Sequence, residues 1–363
     1  MPSSTTTTDV AIVGDGLVGL CCARELARRG ARVALIGERQ RGTSSIAAAG
    51  LLAPSLEPAP GIIGDFARSC RDHFPAFAEE LAGATGMAIP LVLSGILRIA
   101  LDETEEDALR GEADGEATWV TSGEIRGLEP GLRPTLGGVF HPRDGGVDPR
   151  SLMAALDAIL TGAVQRKPSL VRRLDLSGRL AVCELASGEL VAAEHVVLAA
   201  GAWAGGIPGM PRSIPVRPLR GQMAEYVGER VSRAVFGAGG YLVSRPGERV
   251  WVGTTAEDAG FDNTNTDEGL SHLDGVLRRM VSGGAARTRA WAGLRPMSPD
   301  GHPIVGRDPQ DPRLLYACGH SRNGVLMAPG TAALVADVAG GITGPLVEAL
   351  SIARFDVRSE EHL

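Results

Sequence analysis

Apolar and polar positions follow two periods along the chain, and these predict an alternation of strands and helices. Near the N-terminus, a continuous apolar run at residues 10–13, directly after Asp9, predicts a buried strand. A run with helical periodicity then extends to Arg29, and residues 32–38 predict a second strand. Residues 65–81 are predicted to form an amphipathic helix, because apolar side chains recur there at spacings of three and four residues.

The rest of the chain predicts short strands with a few helices between them. A capping box is expected at residues 121–124, and helices are expected from Asp148 and over residues 325–338. Single strands are expected at residues 94–101, 137–148 (with a glycine turn), 180–185, 189–191 and 195–199. Residues 214–226, 234–246 and 249–255 alternate like the strands of an antiparallel sheet.

The turn after the first strand carries three glycines at the spacing that a dinucleotide requires. Gly14 permits the tight turn, Gly16 lets the backbone approach a pyrophosphate, and Gly19 lets the helix pack closely against the strand. The unpaired N–H groups at the start of the helix, and its positive dipole end, then face the phosphates. Glu38 ends the second strand, where a carboxylate can accept hydrogen bonds from a ribose. This unit predicts binding of an adenine dinucleotide.

The position of the motif favours FAD over NAD. It starts almost at the first residue and is followed by a small-residue stretch, residues 42–54, whose backbone can lie against a flat ring system or a phosphate. A second apolar strand enters small residues at 196–205, so two distant segments are expected to return to one sheet around the cofactor.

The predicted fold is mixed α/β, with a Rossmann-like FAD-binding domain and an inserted antiparallel-sheet substrate domain. Two domains are the natural expectation for 363 residues. The FAD-binding domain is predicted to be discontinuous, comprising residues 1–83, 136–213 and 286–363. The substrate domain is predicted to comprise residues 84–135 and 214–285.

Composition excludes several classes of protein. The sequence has no uninterrupted apolar run long enough to span a bilayer, and the polar first eight residues do not resemble a signal peptide, so a cytoplasmic location is expected. The net charge of −7 argues against nucleic-acid binding. The five cysteines show no C-x-x-C spacing and are expected to be reduced, and no metal site is expected.

The C-terminal third carries the most specific pattern. Arg295 lies in Gly-Leu-Arg-Pro and Arg322 in His-Ser-Arg-Asn-Gly. Together with the glycine turn, SSIAAAGLLAP, DGGVDP and VVLAAGAWAG, these segments resemble the FAD-dependent D-amino acid oxidase family, and within it most of all the glycine oxidases. The resemblance spans nearly the whole chain.

The resemblance implies three catalytic residues. Arg295 is expected to hold the substrate carboxylate through two parallel charge-assisted hydrogen bonds. The Tyr241 hydroxyl is expected to donate to that carboxylate, although packing explains this tyrosine equally well. Arg322 is expected at the pocket mouth or on the carboxylate, or else it orients the loop before the final helix, whose N-terminus can stabilise reduced flavin.

Two further residues keep open alternatives. Glu57 either faces the substrate amine or is solvated, and His320 is either a general base or, more commonly for such a position, hydrogen-bonded structurally. The cofactor-binding residues implied by the motif and the resemblance are Gly14, Gly16, Leu17, Val18, Gly19, Glu38, Arg39, Ser44, Ser45, Ala48, Ala49, Gly50, Leu51, Leu52, Ala200, Gly201, Trp203, Arg322, Asn323, Gly324, Val325 and Leu326.

The expected reaction is oxidative deamination of glycine, N-substituted glycines or small D-amino acids. Hydride passes from the alpha carbon to FAD, giving a 2-oxo acid, ammonia or an amine, and hydrogen peroxide if oxygen is the acceptor. Ala256 stands where glycine oxidases carry a larger pocket residue, so a bulkier substrate is expected. Asp15 departs from the family's small residue, with its side chain expected to point outward. Residues 295–308 contain no cysteine, so the flavin is expected to be noncovalent.

Other functions remain open at this point. A dehydrogenase that passes electrons to an acceptor other than oxygen could use the same residues. A 2-hydroxy acid oxidoreductase would need a base near the substrate hydroxyl, for which His320 is the nearby candidate. A non-catalytic flavin-binding module would have no need of Arg295 in a pocket. The oligomeric state is also open, with a homo-oligomer as one alternative.

Overall fold

The computed structural model describes residues 5–113, 115–228 and 231–359. The helices are α1 (Leu17–Arg28), α2 (Ser44–Ala47), α3 (Gly61–Thr85), α4 (Glu103–Arg110), α5 (Ser122–Leu128), α6 (Pro149–Leu160), α7 (Asp267–Met280), α8 (Gly324–Ala339) and α9 (Pro345–Leu350). Short 3-10 segments cover Pro54–Leu56, Gly201–Gly206 and Ile352–Ser359.

The strands fall into a large first sheet, a large second sheet and a small third sheet. They are β1 (Thr5–Val13), β2 (Val33–Ile36), β3 (Leu51–Leu52), β4 (Leu91–Val92), β5 (Ile96–Ala100), β6 (Thr118–Thr121), β7 (Gly137–His141), β8 (Gly145–Val147), β9 (Gln165–Lys167), β10 (Val171–Asp175), β11 (Ala181–Leu185), β12 (Leu190–Leu198), β13 (Arg217–Val227), β14 (Ala234–Gly237), β15 (Gly240–Arg245), β16 (Arg249–Gly253), β17 (Ala286–Met297), β18 (Ile304–Arg307) and β19 (Leu314–Cys318).

The first sheet has a parallel centre in the order β9-β2-β1-β12-β19. Strands β10, β11 and β18 add antiparallel pairs. Val13 at the end of β1 pairs with both Ile36 and Leu198, so the carboxyl ends of these strands meet at one edge. The prediction that the glycine turn and the small residues after β12 return to one sheet is therefore confirmed.

Helices α1 and α8 pack on one face of this sheet, and helices α3 and α6 pack against these two helices. Their apolar stripes bury side chains such as Leu20, Phe74 and Leu156 completely, and each burial of this kind stabilises the fold by about 1.5–3 kcal/mol. Helix α3 is the predicted amphipathic helix, and it extends four residues beyond the predicted range at each end. The capping box at Thr121 and Glu124 forms as predicted.

The second sheet has the order β17-β13-β16-β15-β14-β5-β7-β6. Its pairs are antiparallel, as predicted, except that β14 and β5 are parallel. Helix α7 packs on this sheet through Leu273, Val276 and Met280. Residues 234–246 form two strands because the chain reverses at Ala238 and Gly239, which have φ of 56° and 77°.

The structure differs from two sequence expectations about strands. Residues 189–199 contain one strand, β12, because its pairing with β1 continues past the exposed Glu194. Strands β7 and β17 pair in the second sheet, although the predicted division assigns residues 136–213 and 286–363 to the FAD-binding domain. Sheet membership depends on long-range pairing, which local periodicity does not encode, so we propose that the division between domains follows the sheets.

The structure also bears on membranes, metals and thiols. Within the described residues, no helix is long and apolar enough to cross a membrane. The same residues hold no cluster of three or more histidine, cysteine or acidic side chains suited to a metal ion. All five cysteines are free and buried, and burial raises the pKa of the Cys70, Cys183 and Cys318 thiols to about 12.

Candidate active site

A cavity of about 1330 Å³ extends from the carboxyl edge of the first sheet to one face of the second sheet. Its walls include the glycine turn, the segment 43–51, the residues after β12 and the start of α8. The second sheet contributes Gly221, Met223, Tyr241, Gly293 and Arg295. Because side chains alternate between the faces of a strand, positions two apart on β13 and β17 face the same cavity.

The glycine turn leaves no room for side chains at two positions. Gly14 has φ of 115°, and a Cβ there would lie 2.3 Å from the carbonyl oxygen of Ala199. A Cβ on Gly19 would lie 1.9 Å from the carbonyl oxygen of Gly14. Gly19 is not part of the cavity wall. Its missing side chain allows α1 to start directly behind the turn, as the motif requires.

Two helix N-termini border the cavity. Helix α1 contributes Gly16, Leu17 and Val18, and helix α8 contributes Gly324 and Val325. The first amides of a helix have no intrahelical acceptor and carry the positive end of the helix dipole. Both helix N-termini are therefore suited to groups that bear negative charge.

The small-residue segment lies against the start of α1. The Leu17 amide donates to the Ser45 hydroxyl at 2.9 Å. Ala49 and Gly50 are buried and line the cavity, and their amides donate to no other described residue. Buried N–H groups are almost always paired, so a ligand in the cavity is expected to supply the acceptor. Ser44, Ala48 and Leu51 also line this wall.

The polar residues beyond β2 are arranged differently from the expectation. Glu38 is exposed and lines the cavity. Arg39 lines it too, but its Nη2 donates to both carboxylate oxygens of Asp157 at 2.7 and 2.8 Å. The Asp15 side chain, expected to point outward, is largely buried with its carboxylate 3.7 Å from Arg39, and burial raises its pKa.

Two predicted cofactor residues have side chains in the core rather than in the cavity. Leu52 and Leu326 are fully buried. Leu52 follows Leu51 on a strand and therefore points to the opposite face. Ala200, Gly201, Trp203 and Asn323 do line the cavity, and Trp203 stacks on Phe261 with ring centroids 5.9 Å apart.

Arg295 is a half-buried cation that faces the cavity. Its Nη2 donates to the Thr254 hydroxyl at 2.7 Å and its Nη1 donates to the Thr255 carbonyl at 3.1 Å. The guanidinium lies over Gly221, where a Cβ would be 2.3 Å from Nη2. No described carboxylate forms an ion pair with it, and burial lowers the pKa of Arg295. A guanidinium has five N–H donors, so donors remain for an anionic ligand.

Tyr241 lies beside Arg295 in the same wall. Its ring packs on the backbone of Gly253, where a Cβ would be 2.5 Å from the phenolic oxygen. Burial raises the pKa of Tyr241, and the neighbouring Arg295 opposes that shift. The hydroxyl therefore stays protonated at neutral pH and can donate a hydrogen bond into the cavity.

Arg322 and Glu57 form an ion pair at the cavity mouth. The Arg322 Nη1 donates to the Glu57 carboxylate at 2.7 Å, and the two side chains are 56% and 36% exposed. Arg322 therefore lies at the mouth with a protein carboxylate as its partner. Glu57 lines the cavity with its side chain partly exposed, so its contact with a substrate amine and its solvation both stay predictions.

His320 lines the cavity but is fixed by the fold. Its Nε2 lies 2.9 Å from the Thr331 hydroxyl, and the residue is only 2% exposed. Burial lowers the pKa of His320 to about 4. A neutral imidazole with a structural partner and such a low pKa is a poor general base at neutral pH.

Sequence reasoning missed several residues around this site. Thr254 orients Arg295, and Gly221 makes room for it. Trp291 and Arg245 donate hydrogen bonds to the small-residue segment and do not themselves line the cavity. The Gly-Thr-Thr run after β16 is a signal that could have indicated Thr254, whereas the other contacts join residues far apart in sequence.

Comparisons with known proteins agree with this geometry. Residues 9–338 match the family described as FAD dependent oxidoreductase (DAO). A bifunctional protein ThiO/ThiG of Synechocystis sp. is 34% identical over 96% of this chain, which spans about half (54%) of that relative's length. Glycine oxidase of Geobacillus kaustophilus is 35% identical, over 91% of this chain and 92% of the relative.

Solved structures give the same picture. A crystal structure of glycine oxidase from Geobacillus kaustophilus superposes with a TM-score of 0.89 at 32% identity, covering 96% of this chain and 98% of the other. Iminodiacetate oxidase from Chelativorans sp. BNC1 superposes with a TM-score of 0.86 at 27% identity, covering 94% and 98%. These findings confirm the fold and the family resemblance that the sequence indicated.

Proposed function

The chain belongs to the family of FAD-dependent oxidoreductases, and from that premise we propose that it oxidises small amino acids bearing a free carboxylate. The substrates we propose are glycine, N-substituted glycines and small D-amino acids. The observation that carries the proposal is Arg295, a half-buried guanidinium without an ion-pair partner among the described residues, in the cavity that also contains the cofactor cradle.

The residues of the cavity fit FAD. The glycine turn and the start of α1 would hold the pyrophosphate, and Glu38 would accept hydrogen bonds from the ribose. The buried amides of Ala49 and Gly50 and the N-terminus of α8 would face the flavin. Residues 295–308, where the family resemblance would place a cysteine that attaches the flavin, contain no cysteine. The flavin would therefore be held without a covalent bond.

Arg295 and Tyr241 would fix the orientation of the substrate. A guanidinium can bind both oxygens of a carboxylate in one plane, and the Tyr241 hydroxyl adds a third donor. The protein has already removed much of the water around the Arg295 cation. The binding free energy of an anionic partner is therefore more favourable there than at the surface. This anchoring would place the alpha carbon and the amine in one defined position in the cavity.

The proposed reaction needs no protein base. His320 is neutral and bonded to Thr331, so the amine itself would enter in its unprotonated form, with its lone pair assisting loss of hydride. FAD, when bound, supplies the two-electron acceptor. Hydrolysis of the resulting imino acid would release a 2-oxo acid with ammonia, or with a primary amine from an N-substituted substrate. A 2-hydroxy acid substrate would need a base near its hydroxyl group. His320 is disfavoured as that base because it is neutral and bonded to Thr331.

The size of the pocket supports substrates larger than glycine. Ala256, Gly239 and Ala238 line the cavity, and none of them carries a side chain longer than a methyl group. Iminodiacetate, named for one structural relative, is itself an N-substituted glycine. We therefore propose that N-alkyl glycines or small D-amino acids are oxidised at least as well as glycine.

We also propose oxygen as the electron acceptor, a cytoplasmic location and a homo-oligomeric state. A dehydrogenase with another acceptor is the alternative, since the same residues would bind the same substrate.

A substrate panel tests the proposed function. The purified protein is mixed with glycine, N-alkyl glycines, small D-amino acids and 2-hydroxy acids, and peroxide and 2-oxo acid are measured. We expect turnover of the amino acids, with glycine a poor substrate, and none of the hydroxy acids. Turnover restricted to hydroxy acids, or none with any carboxylate-bearing amine, would overturn the proposal.

A further inference from the structure

Two tryptophans and three arginines form a layered cluster on the second sheet, beside the cavity. The rings of Trp251 and Trp291 are 5.0 Å apart and nearly perpendicular. The guanidinium of Arg245 lies 4.1 Å from the Trp251 ring centroid, that of Arg150 lies 5.1 Å from the same centroid, and that of Arg289 lies 5.2 Å from the Trp291 centroid. We name these five residues the arginine–tryptophan stack.

The stack and the substrate wall share one face of the sheet. On β15, Tyr241 and Arg245 are four residues apart, and on β17, Trp291 and Arg295 are also four apart. Side chains separated by an even number of residues point to the same face. Residues 42–50 of the small-residue segment cross this face, since the Leu294 amide on β17 donates to the Gly42 carbonyl at 2.9 Å.

Two members of the stack donate hydrogen bonds to that segment. Trp291 Nε1 donates to the Ala47 carbonyl at 3.0 Å, and Arg245 Nη2 donates to the Ala49 carbonyl. A Cβ on Gly293 would lie 2.5 Å from the Ala47 Cβ, so the segment lies directly on β17. These contacts come from behind the segment, because Arg245 and Trp291 do not line the cavity whereas Ala47 and Ala49 do.

The hydrogen bond to Ala49 determines where the next amide points. In a trans peptide the C=O and the following N–H are directed oppositely. With the Ala49 carbonyl held by Arg245, the Gly50 N–H is directed away from the stack. Gly50 lines the cavity, and its amide donates to no other described residue.

Arg245 also carries a charge that contacts no described carboxylate, although Asp148 acts on it from a longer distance. It is largely buried, forms no ion pair with a described residue, and its Nε has no hydrogen-bond partner among them. Burial lowers the pKa of Arg245 to about 10, so it remains a cation at neutral pH. Arg289, in contrast, donates to Glu225 at 2.8 Å. Reduction adds negative charge to a flavin, and a nearby buried cation favours that state.

We propose that Arg245 and Trp291 are positioning residues for FAD. Both hold the segment so that the Gly50 amide faces the flavin, and the charge of Arg245 raises the flavin midpoint potential. The proposal concerns the cofactor and is independent of which substrate the protein oxidises.

Matched variants within the stack test the proposal. Arg245→Gln and Trp291→Phe each remove a donor to the segment. Arg289→Gln and Trp251→Phe are the matched controls. Each removes a donor of the same chemical kind, but that donor bonds to Glu225 and not to the small-residue segment. On the holoenzymes, the FAD dissociation constant is measured from the fluorescence of released FAD on dilution, and the midpoint potential by equilibration with a reference dye.

We expect Arg245→Gln and Trp291→Phe to raise the FAD dissociation constant by about tenfold, the effect of losing one good hydrogen bond. Arg245→Gln should also lower the midpoint potential, Arg245→Lys should restore most of it, and Trp291→Phe should leave it unchanged. The control variants should change neither quantity. Equal changes in the control variants would show a merely structural role and overturn the proposal, as would unchanged FAD affinity in Trp291→Phe. If Arg245→Gln does not fold, Trp291→Phe against Trp251→Phe, together with Arg245→Lys, decides the question.

Discussion

Replacing Arg295 by methionine should separate substrate recognition from folding. The side chain has a similar length and stays apolar, so the change removes the charge and the N–H donors with little loss of volume. The guanidinium donates to Thr254 and Thr255 and has no described ion-pair partner, and burial lowers its pKa. Under the proposed function, the native protein therefore holds a largely desolvated cation whose partner would arrive with the substrate.

The expected magnitude follows from that arrangement. Truncating one partner of a buried, hydrogen-bonded charge pair costs about 2–5 kcal/mol, which corresponds to a fall in kcat/KM of about 30- to 4000-fold. The free energy of unfolding should not fall comparably, because the variant no longer buries an unpaired charge. A functional loss without a loss of stability is the signature we expect.

The assay compares an amino acid with its amide. Steady-state kcat/KM is measured for both in the native protein and in Arg295→Met, and Arg287→Met serves as a control because Arg287 lies on the same strand but pairs with Asp274. The preference for the acid over the amide should largely disappear in Arg295→Met and persist in the control. Near-normal kcat/KM for the acid, or an equal loss on acid and amide, would refute the reasoning.

Three further predictions follow from the site. Ala256→Met should reduce kcat/KM for N-alkyl glycines and D-amino acids about 10- to 200-fold while sparing glycine; an unchanged ratio would mean that Ala256 does not set substrate size. In the native protein, kcat/KM should rise about tenfold per pH unit up to the pKa of the substrate amine, and His320→Gln should keep that profile; a profile that flattens near pH 6–7 would point to a protein base. Because the His320 pKa is about 4 in the folded protein and 6.5 without burial, the unfolded chain binds the extra proton between these values. Stability should fall by up to about 3 kcal/mol as the pH is lowered through that window, and denaturant titrations of His320→Gln should show a smaller fall.

The sequence allowed the elements around the cofactor to be predicted because their signals are local. Gly14 and Gly19 mark a turn whose backbone leaves no room for a Cβ, and Thr121 with Glu124 marks a helix start within four residues. The division between sheets was harder to predict. Strands β7 and β17 join the second sheet through partners far away in sequence, and nothing in their own periodicity selects one sheet over the other.

The candidate site shows the same limit. The location of Arg295 in the cavity could be predicted from its surrounding motif, whereas the partner of Arg322 is Glu57, 265 residues away. His320 could be either a base or a structural residue until its contact with Thr331 was known. The role of Arg245 depends on its contact with the Ala49 carbonyl, which the fold alone brings within reach.

Anaerobic reduction of the bound FAD tests the central claim most directly. The purified holoenzyme is mixed without oxygen with an N-alkyl glycine, and separately with the alkylamine that lacks the carboxylate, and the flavin absorbance is followed. We predict that the carboxylate-bearing amine bleaches the flavin and that the alkylamine does not. Peroxide on re-aeration would further support an oxidase rather than a dehydrogenase. A flavin left oxidised by glycine, N-alkyl glycines and D-amino acids alike would contradict the account.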